Sequence, residues 1–137
     1  MTLRVFLDAN ILFTAAYNPD GMARLLFELR RLEFLALLSS RQAVEEARIN
    51  LDVKKPAALG ELAALLKSLD LFDSPPVVPV TLKIPEDDLR IFASAVAGGA
   101  THLLTGDKKD FGRYFDRPAQ TAGIRIQTVR KFFADRF

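Results

Sequence analysis

Two short apolar segments, each followed within two residues by an aspartate, constrain the fold of this chain most strongly. Residues Leu3–Leu7 form a near-continuous apolar run with one arginine, and Asp8 follows directly. The second run is a strand predicted at residues 102–105, and Gly106 and Asp107 come next. Strands that are apolar on both faces are typical of parallel sheets. Functional groups gather beyond the carboxyl ends of such strands, so both aspartates are expected at one edge of the sheet.

Segments with helical spacing of apolar residues alternate with these strand-like runs. We predict further strands at 34–38, 77–80 and 124–126, the second of them irregular or at an edge because it contains Pro79. We predict helices at 9–17, 22–33, 41–51, from Pro56 through Leu69, from Pro85 to Ala97, and from about 128 onward. Such alternation implies right-handed crossovers and a parallel sheet with helices on both faces.

The composition fits one globular domain spanning residues 1–137. Half of the residues are hydrophobic, which suffices for a buried core at this length. No apolar run approaches the roughly 18 residues of a membrane span, and no signal-peptide pattern opens the chain. The absence of cysteine excludes disulfides, thiolate chemistry and cysteine zinc sites. We therefore expect a cytoplasmic protein with no membrane partner.

The net charge of +2 conceals an asymmetry. If Asp8, Glu46, Asp88, Asp107 and Asp110 all belong to one metal site, 12 of the 17 acidic residues remain against 19 lysines and arginines. The rest of the surface would then carry about +7, which suits a polyanionic partner. Solvation of an ordinary surface explains the same lysines and arginines without any such partner.

Four acidic side chains can meet at the carboxyl edge of the predicted sheet. Asp8 and Asp107 follow strands, Asp88 begins the helix before the second of these strands, and Glu46 lies in the helix after the strand 34–38. Carboxylates this close repel one another, and a divalent cation resolves that conflict. Oxygen ligands without cysteine favour Mg²⁺ or Mn²⁺, which can promote phosphodiester hydrolysis. Acids at helix starts also occur without any metal, because their negative charge interacts favourably with the helix dipole.

Two neighbouring acids leave the ligand set open, since Glu45 precedes Glu46 and Asp87 precedes Asp88. At about 100° per residue, Glu46 lies on the flank of the apolar face of its helix, and Glu45 points further toward solvent. The margin is only about 30°, so the spacing favours Glu46 narrowly.

Four motifs lie in order along the chain, each in its expected secondary-structure context. They are Leu7-Asp8-Ala9-Asn10, Ser40 to Glu46, Asp88 to Ala95, and Leu103 to Phe111. Together they resemble the PIN-domain family, which includes the VapC-type toxins of bacterial and archaeal toxin–antitoxin pairs. The resemblance runs from residue 3 to about residue 126. It implies a three-layer α/β/α fold and a metal-dependent ribonuclease, a hydrolase that cuts single-stranded RNA or exposed RNA loops.

The resemblance also implies roles for individual residues. It implies catalytic and metal-binding acids at Asp8, Glu46, Asp88 and Asp107, a further metal ligand at Asp110, and supporting polar side chains at Asn10 and Thr105. The cofactor would be Mg²⁺ or Mn²⁺. The register of the Ile-x-Ala-x-Ala run favours Asp88 over Asp87.

Candidate partner contacts come from nearby cations and from apolar residues that the predicted core does not need. Nearness in sequence to the acids suggests RNA phosphate contacts at Arg41, Arg48, Lys108, Lys109 and Arg113. Surface solvation is the alternative role for each of them. The other expected partners are an antitoxin protein and a second copy of the chain in a homodimer. Their candidate contacts are Phe13, Tyr17 and Phe27, for which ordinary surface or core packing is the alternative.

Two other classes of function fit parts of this pattern. A non-catalytic PIN-like module would bind RNA or a protein, and it would retain RNA without cleaving it. A phosphatase of the haloacid dehalogenase type also has an aspartate after its first strand. That chemistry usually requires a second acid two residues later, where this chain has Asn10.

Overall fold

The computed structural model describes residues 2–76 and 82–137. Its strands are β1 (Leu3–Leu7), β2 (Leu35–Ser39), β3 (Leu69–Leu71), β4 (His102–Leu104) and β5 (Arg125–Gln127). Its helices are α1 (Ala9–Tyr17), α2 (Met22–Arg31), α3 (Arg41–Lys54), α4 (Leu59–Leu66), α5 (Glu86–Ala97), α6 (Lys108–Phe111) and α7 (Val129–Arg136). Within the described ranges, none of the helices has the length and apolar character needed to span a membrane.

The five strands within the described residues run parallel in one sheet with the order β3-β2-β1-β4-β5. The chain builds outward from β1 to β2 and β3, and it then crosses to the other side of β1 to form β4 and β5. The register places Leu7 beside Leu104, and the Asp8 N–H donates to the Leu104 carbonyl at 3.1 Å. Strand order therefore reverses between β1 and β4, which is where parallel sheets open a binding crevice.

The central strands are buried on both faces, as their continuous apolar runs predicted. Val5, Phe6 and Leu7 are fully buried, and so are Leu103 and Leu104 in the neighbouring strand β4. Helix α1 packs against α3 and α4, while α2 packs against β2 and α7. Each fully buried leucine or phenylalanine stabilises such a core by about 1.5–3 kcal/mol. The predicted three-layer α/β/α fold with a central parallel sheet is confirmed.

One predicted helix ends earlier than expected. Helix α4 stops at Leu66, and Leu69 is the first residue of β3, where it pairs with Leu37 of β2. The prediction that Leu69 belongs to the helix is therefore wrong. The spacing from Leu66 to Leu69 is helical, but pairing with the edge of the sheet determines the structure here. The strand predicted at 77–80 lies outside the described residues.

Candidate active site

Asp8 is the most deeply buried acid of the candidate site, with 4% of its surface exposed. It is the N-cap of α1, and its Oδ1 accepts a hydrogen bond from the Ala9 N–H at 2.7 Å. Its Oδ2 accepts from the Thr105 hydroxyl at 2.8 Å and from the Asn10 amide at 3.4 Å. These three donors fix the carboxylate in one orientation at the end of β1.

Thr105 and Asn10, the two predicted supporting residues, join the loop after β4 to the start of α1. The Thr105 hydroxyl donates to Asp8 and accepts a hydrogen bond from the Asp107 N–H at 3.1 Å. The Asn10 side-chain oxygen accepts from the Gly106 N–H at 2.8 Å, and its amide donates to the Thr105 hydroxyl at 3.3 Å. The two loops that carry Asp8 and Asp107 are thus held together by side chains.

Three half-buried acids lie close together at the same edge. Asp88, Asp107 and Asp110 each present a carboxylate oxygen, and these oxygens lie within 4.8 Å of one another. Asp107 is the N-cap of α6, and its Oδ1 accepts from the Asp110 N–H at 3.0 Å. Asp88 lies in the first turn of α5. The start of α5 is fastened to α3 because the Gln42 side chain donates to the Asp87 carbonyl at 2.9 Å.

A cavity of about 190 Å³ opens where these elements meet. The predicted acids that line it are Asp8, Glu46, Asp88 and Asp107. They come from four separate elements: the end of β1, the body of α3, the start of α5 and the loop after β4. The structure therefore brings together the four side chains that the sequence placed at one edge of the sheet.

The geometry distinguishes the members of each neighbouring pair of acids. Glu46 lines the cavity, whereas Glu45 accepts a hydrogen bond from Arg48 at 2.9 Å on the exposed surface. Asp88 lines the cavity, whereas Asp87 forms an exposed ion pair with Arg90 at 2.6 Å. In each case the acid favoured from the sequence is the one that reaches the cavity.

Burial, together with repulsion between neighbouring carboxylates, raises the pKa values of three acids at this edge. Burial raises the pKa of Asp8, against the opposing effect of its hydrogen bonds, of which that from Thr105 is the largest. Partial burial raises the pKa of Glu46, and nearby carboxylates, Asp8 foremost, raise it further. Burial, followed by a hydrogen bond and repulsion from the Asp110 carboxyl, raises the pKa of Asp88 to about 7. A cation bound here would relieve the same repulsion that now favours protonation.

The donor set fits a hard divalent cation. Oxygen ligands on opposite sides of a cation, each about 2.0–2.6 Å from it, lie roughly 4–5 Å apart. The carboxylate oxygens of Asp88, Asp107 and Asp110 lie within 4.8 Å of one another, which matches this span. Carboxylate oxygens are ligands that Mg²⁺ and Mn²⁺ prefer. Asp8 and Glu46 add two further carboxylates at the wall of the adjoining cavity.

Two of the predicted phosphate contacts already have partners. Arg41 forms an ion pair with Asp73, and Arg48 forms one with Glu45, three residues earlier on α3. All four side chains are largely exposed, so these pairs are weak and are screened by salt. They nevertheless compete with a phosphate group for both guanidinium groups.

The other predicted phosphate contacts lie in or after α6. Lys108 and Lys109 are exposed and follow Asp107 directly. Arg113 lies over the Tyr114 ring, 5.6 Å from its centroid. The two lysines therefore retain the position beside the acids that the sequence predicted.

Sequence reasoning missed three residues that line the cavity, namely Phe13, Asn50 and Lys54. A signal for two of them was present, because Asn50 and Lys54 follow Glu46 at spacings of four and share its face of α3. The ring of Phe13, predicted as a protein contact, lies against the Lys54 ammonium group. The same prediction is wrong for Phe27, which is 7% exposed and belongs to the core.

Comparisons with known proteins agree with this architecture. A chain of the crystal structure of VapBC2 from Rickettsia felis, bound to a DNA fragment from their promoter, has a TM-score of 0.65 and 19% identity, covering 92% of this chain and 98% of that chain. A chain of VapBC-1 from nontypeable Haemophilus influenzae has a TM-score of 0.59 and 14% identity, covering 93% and 99%. No protein-family model matches the sequence, and no curated protein does.

At these levels of identity the comparisons establish the fold. The class of protein that they define is a three-layer α/β/α protein with a PIN-like fold. The resemblance to the PIN-domain family is thereby confirmed at the level of the fold.

Proposed function

We propose that this protein is a Mg²⁺- or Mn²⁺-dependent endoribonuclease that hydrolyses phosphodiester bonds in single-stranded or loop RNA. The observation that carries the proposal is the convergence of four acids from four elements on one cavity. Helix capping and helix dipoles explain single acids at helix starts, but they do not explain the convergence of all four acids on one cavity. Their mutual repulsion is a cost that a bound cation would offset.

The side chains divide into groups with separate tasks. Asp88, Asp107 and Asp110 would hold the cation, with Asp8 completing the ligand set directly or through a water molecule. When bound, a divalent cation neutralises the carboxylates, polarises the scissile phosphate and makes water more acidic. Glu46, on the cavity side of α3, would orient the attacking water and accept its proton. Asn10 and Thr105 hold the two loops in register.

The RNA strand and the protein partners are part of the same proposal. Lys108 and Lys109 would contact RNA phosphates beside Asp107. The similar structures are those of VapBC2 and VapBC-1. This likeness supports the proposal that the chain is the toxin of a cytoplasmic toxin–antitoxin pair. A second copy of the chain and an antitoxin protein are the proposed protein partners. The product of the adjacent open reading frame should therefore co-purify with this chain and inhibit it.

Cleavage of RNA tests the proposed reaction directly. Purified protein should cleave a single-stranded RNA in the presence of Mg²⁺ or Mn²⁺ and should lose this activity in EDTA. Asp8→Asn and Asp107→Asn should each reduce the rate by about 1,000-fold or more. Cleavage that survives both EDTA and these substitutions would rule out the metal mechanism. Retention of RNA without cleavage, unchanged by Asp8→Asn, would instead favour a non-catalytic RNA-binding module.

The two pairs of neighbouring acids supply matched controls for this test. Asp88→Asn should reduce cleavage by about 100-fold, whereas Asp87→Asn should leave it within about twofold. Glu46→Gln should reduce it by about tenfold or more, whereas Glu45→Gln should change little. Each pair removes one negative charge from the same turn of the same helix. Equal effects within a pair would mean that general charge, and not the cavity geometry, determines the rate.

A further inference from the structure

Two successive lysines lie at the carboxyl end of α3, and one of them lines the acidic cavity. Lys54 is the last residue of α3 and lines the cavity, and Lys55 is the C-cap that follows. Within residues 2–76 and 82–137, neither ammonium group forms an ion pair with a carboxylate. Arg41 and Arg48, on the same helix, are both ion-paired. The uncompensated positive charge of α3 therefore lies at its carboxyl end.

A pair of aromatic rings on α1 holds these lysines. Phe13 and Tyr17 are four residues apart on one face of α1, and their rings stack at 5.4 Å with 25° between the ring planes. The Lys54 ammonium lies 5.5 Å from the Phe13 ring centroid, and the Lys55 ammonium lies 4.8 Å from the Tyr17 ring centroid. Lys55 also donates to the Tyr17 carbonyl at 2.8 Å.

This arrangement goes beyond what helix stability alone requires. Cations at the carboxyl end of a helix are favoured by its dipole wherever their side chains point. That effect does not account for two stacked rings beneath two successive lysines, one of which lines the cavity. The rings restrict the lysine side chains, which otherwise sample many rotamers and would lose that freedom on binding a ligand. Each ammonium group still has N–H donors that are available to a phosphate oxygen.

We infer that Lys54 and Lys55, positioned by the stacked rings of Phe13 and Tyr17, bind backbone phosphates of the RNA strand next to the bond that is cut. The inference rests on the proposed ribonuclease function and adds a phosphate-binding site to it. This site, formed by Lys54 and Lys55, is called the binding arm. The arm lies on the α1 and α3 side of the acids, while Lys108 and Lys109 lie on the α6 side. Contacts to phosphate carry no base information, so this arm contributes affinity and not sequence preference.

The test compares lysine variants by RNA binding and by cleavage. Lys54→Met, Lys55→Met and the double variant keep most of the aliphatic side chain and remove the charge. We expect each single variant to raise KM about three- to tenfold with kcat changed less than about twofold, and to lower the salt dependence of binding by about 0.7 in the log–log slope. Lys67→Met, which removes an exposed lysine after α4, is the matched control and should change neither quantity.

Substitutions at Tyr17 test whether the aromatic ring positions the lysine, or whether the charge of the lysine alone explains RNA binding. Tyr17→Leu should raise KM about two- to fourfold, whereas Tyr17→Phe, which keeps the ring, should behave as the wild type. After Lys55→Met, the effect of Tyr17→Leu should largely disappear, because the ring then has no ammonium group to hold. Melting temperatures of all variants show whether the fold is retained.

The outcomes separate this inference from the proposed function. If the wild type cleaves RNA and the lysine variants match Lys67→Met in KM and salt slope, the binding arm is wrong and the nuclease stands. If the wild type binds RNA without cleaving it and the lysine variants weaken that binding, the arm stands and the nuclease is wrong. If RNA binding is undetectable or independent of both lysines in a folded protein, the arm is overturned.

Discussion

One edge of the sheet holds two acidic regions in contrasting environments. The first region is Asp8, and the second is the group of three acids formed by Asp88, Asp107 and Asp110. Asp8 is almost fully buried and accepts hydrogen bonds from three donors, two in the first turn of α1 and one in the loop after β4. The other three acids are half-buried, and their oxygens face one another within 4.8 Å. Donors therefore hold Asp8 without a cation, whereas the group of three carries unrelieved repulsion until a proton or a cation lies between its members.

This contrast shows how one small site can be both rigid and able to bind an ion. A carboxylate whose oxygens are engaged by protein donors keeps its position but has less capacity left for a ligand. Carboxylates that face one another have that capacity but depend on the surrounding elements for their positions. Thr105 connects the two regions, because its hydroxyl bonds both the Asp8 carboxylate and the Asp107 N–H.

The largest expected difference between the two regions is in metal affinity. Asp107→Asn should weaken Mn²⁺ binding by about 100-fold, because it replaces a charged carboxylate of the group of three with a neutral amide. Asp8→Asn should weaken it by only about tenfold, because that group stays intact and loses only the support of Asp8. Isothermal titration calorimetry of the metal-free variants measures both constants.

Asp87→Asn is the control for this comparison and should bind Mn²⁺ as the wild type does. Asp87 lies beside Asp88 in sequence, but its carboxylate pairs with Arg90. If Asp8→Asn weakens Mn²⁺ binding as much as Asp107→Asn does, or more, then Asp8 is a principal ligand. The distinction between the two regions would then be lost.

Much of this architecture could be predicted because the signals are local. Asp8 and Asp107 follow apolar runs, and parallel strands place their carboxyl ends together, so the meeting of these two acids follows from topology alone. The strand at Leu69 could not be predicted in the same way. It has three residues, lies at the edge of the sheet and continues the helical spacing of α4, and only its pairing with β2 distinguishes it from that helix.

Other features of the site depend on which of two neighbouring side chains pairs with a third residue. Glu45 and Glu46 differ little in helical angle, and the ion pair between Glu45 and Arg48 is what separates them in the structure. The spacing of four along α3 relates Lys54 to Glu46, but its place against the Phe13 ring at the cavity comes from the packing of α3 on α1. Such contacts depend on packing between elements, which spacing within one helix does not determine.

Removal of the Thr105 hydroxyl, which joins the two regions, is expected to have an effect of intermediate size on stability and activity. Thr105→Val has nearly the same shape but leaves Asp8 Oδ2 and the Asp107 N–H without their shared partner in a fully buried position. The free energy of unfolding should fall by about 1–3 kcal/mol. Cleavage should also decrease, because the two loops lose their register. Urea denaturation in the presence of EDTA measures the stability change.

Thr105→Ser keeps the hydroxyl and removes one methyl group, so it is the matched control. It should recover most of the stability and of the activity that Thr105→Val loses. If the two variants are equally destabilised, the methyl packing of Thr105 matters more than its hydrogen bonds, and the connection between the two regions is weaker than proposed.

The smallest expected effect is on the pH dependence of stability. The pKa of Asp88 is about 7 in the folded protein, compared with its ordinary value of 3.8. Between these two values the folded state holds a proton that the unfolded state has lost, so the contribution of Asp88 to stability decreases as pH rises from about 4 to about 7. Above this window the contribution is constant, since the group is ionised in both states.

Asp88→Asn removes this titration and should therefore be more stable than the wild type at about pH 8 in EDTA, by a few °C in Tm, with the difference vanishing toward about pH 4. Saturating Mn²⁺ should reverse the order at about pH 8, because only the wild type keeps the full group of three carboxylates. Thermal denaturation at several pH values, with and without Mn²⁺, measures both trends. A wild type that remains the more stable protein at about pH 8 in EDTA would show that repulsion within the group of three is already relieved without a cation, and the contrast with Asp8 would then fail.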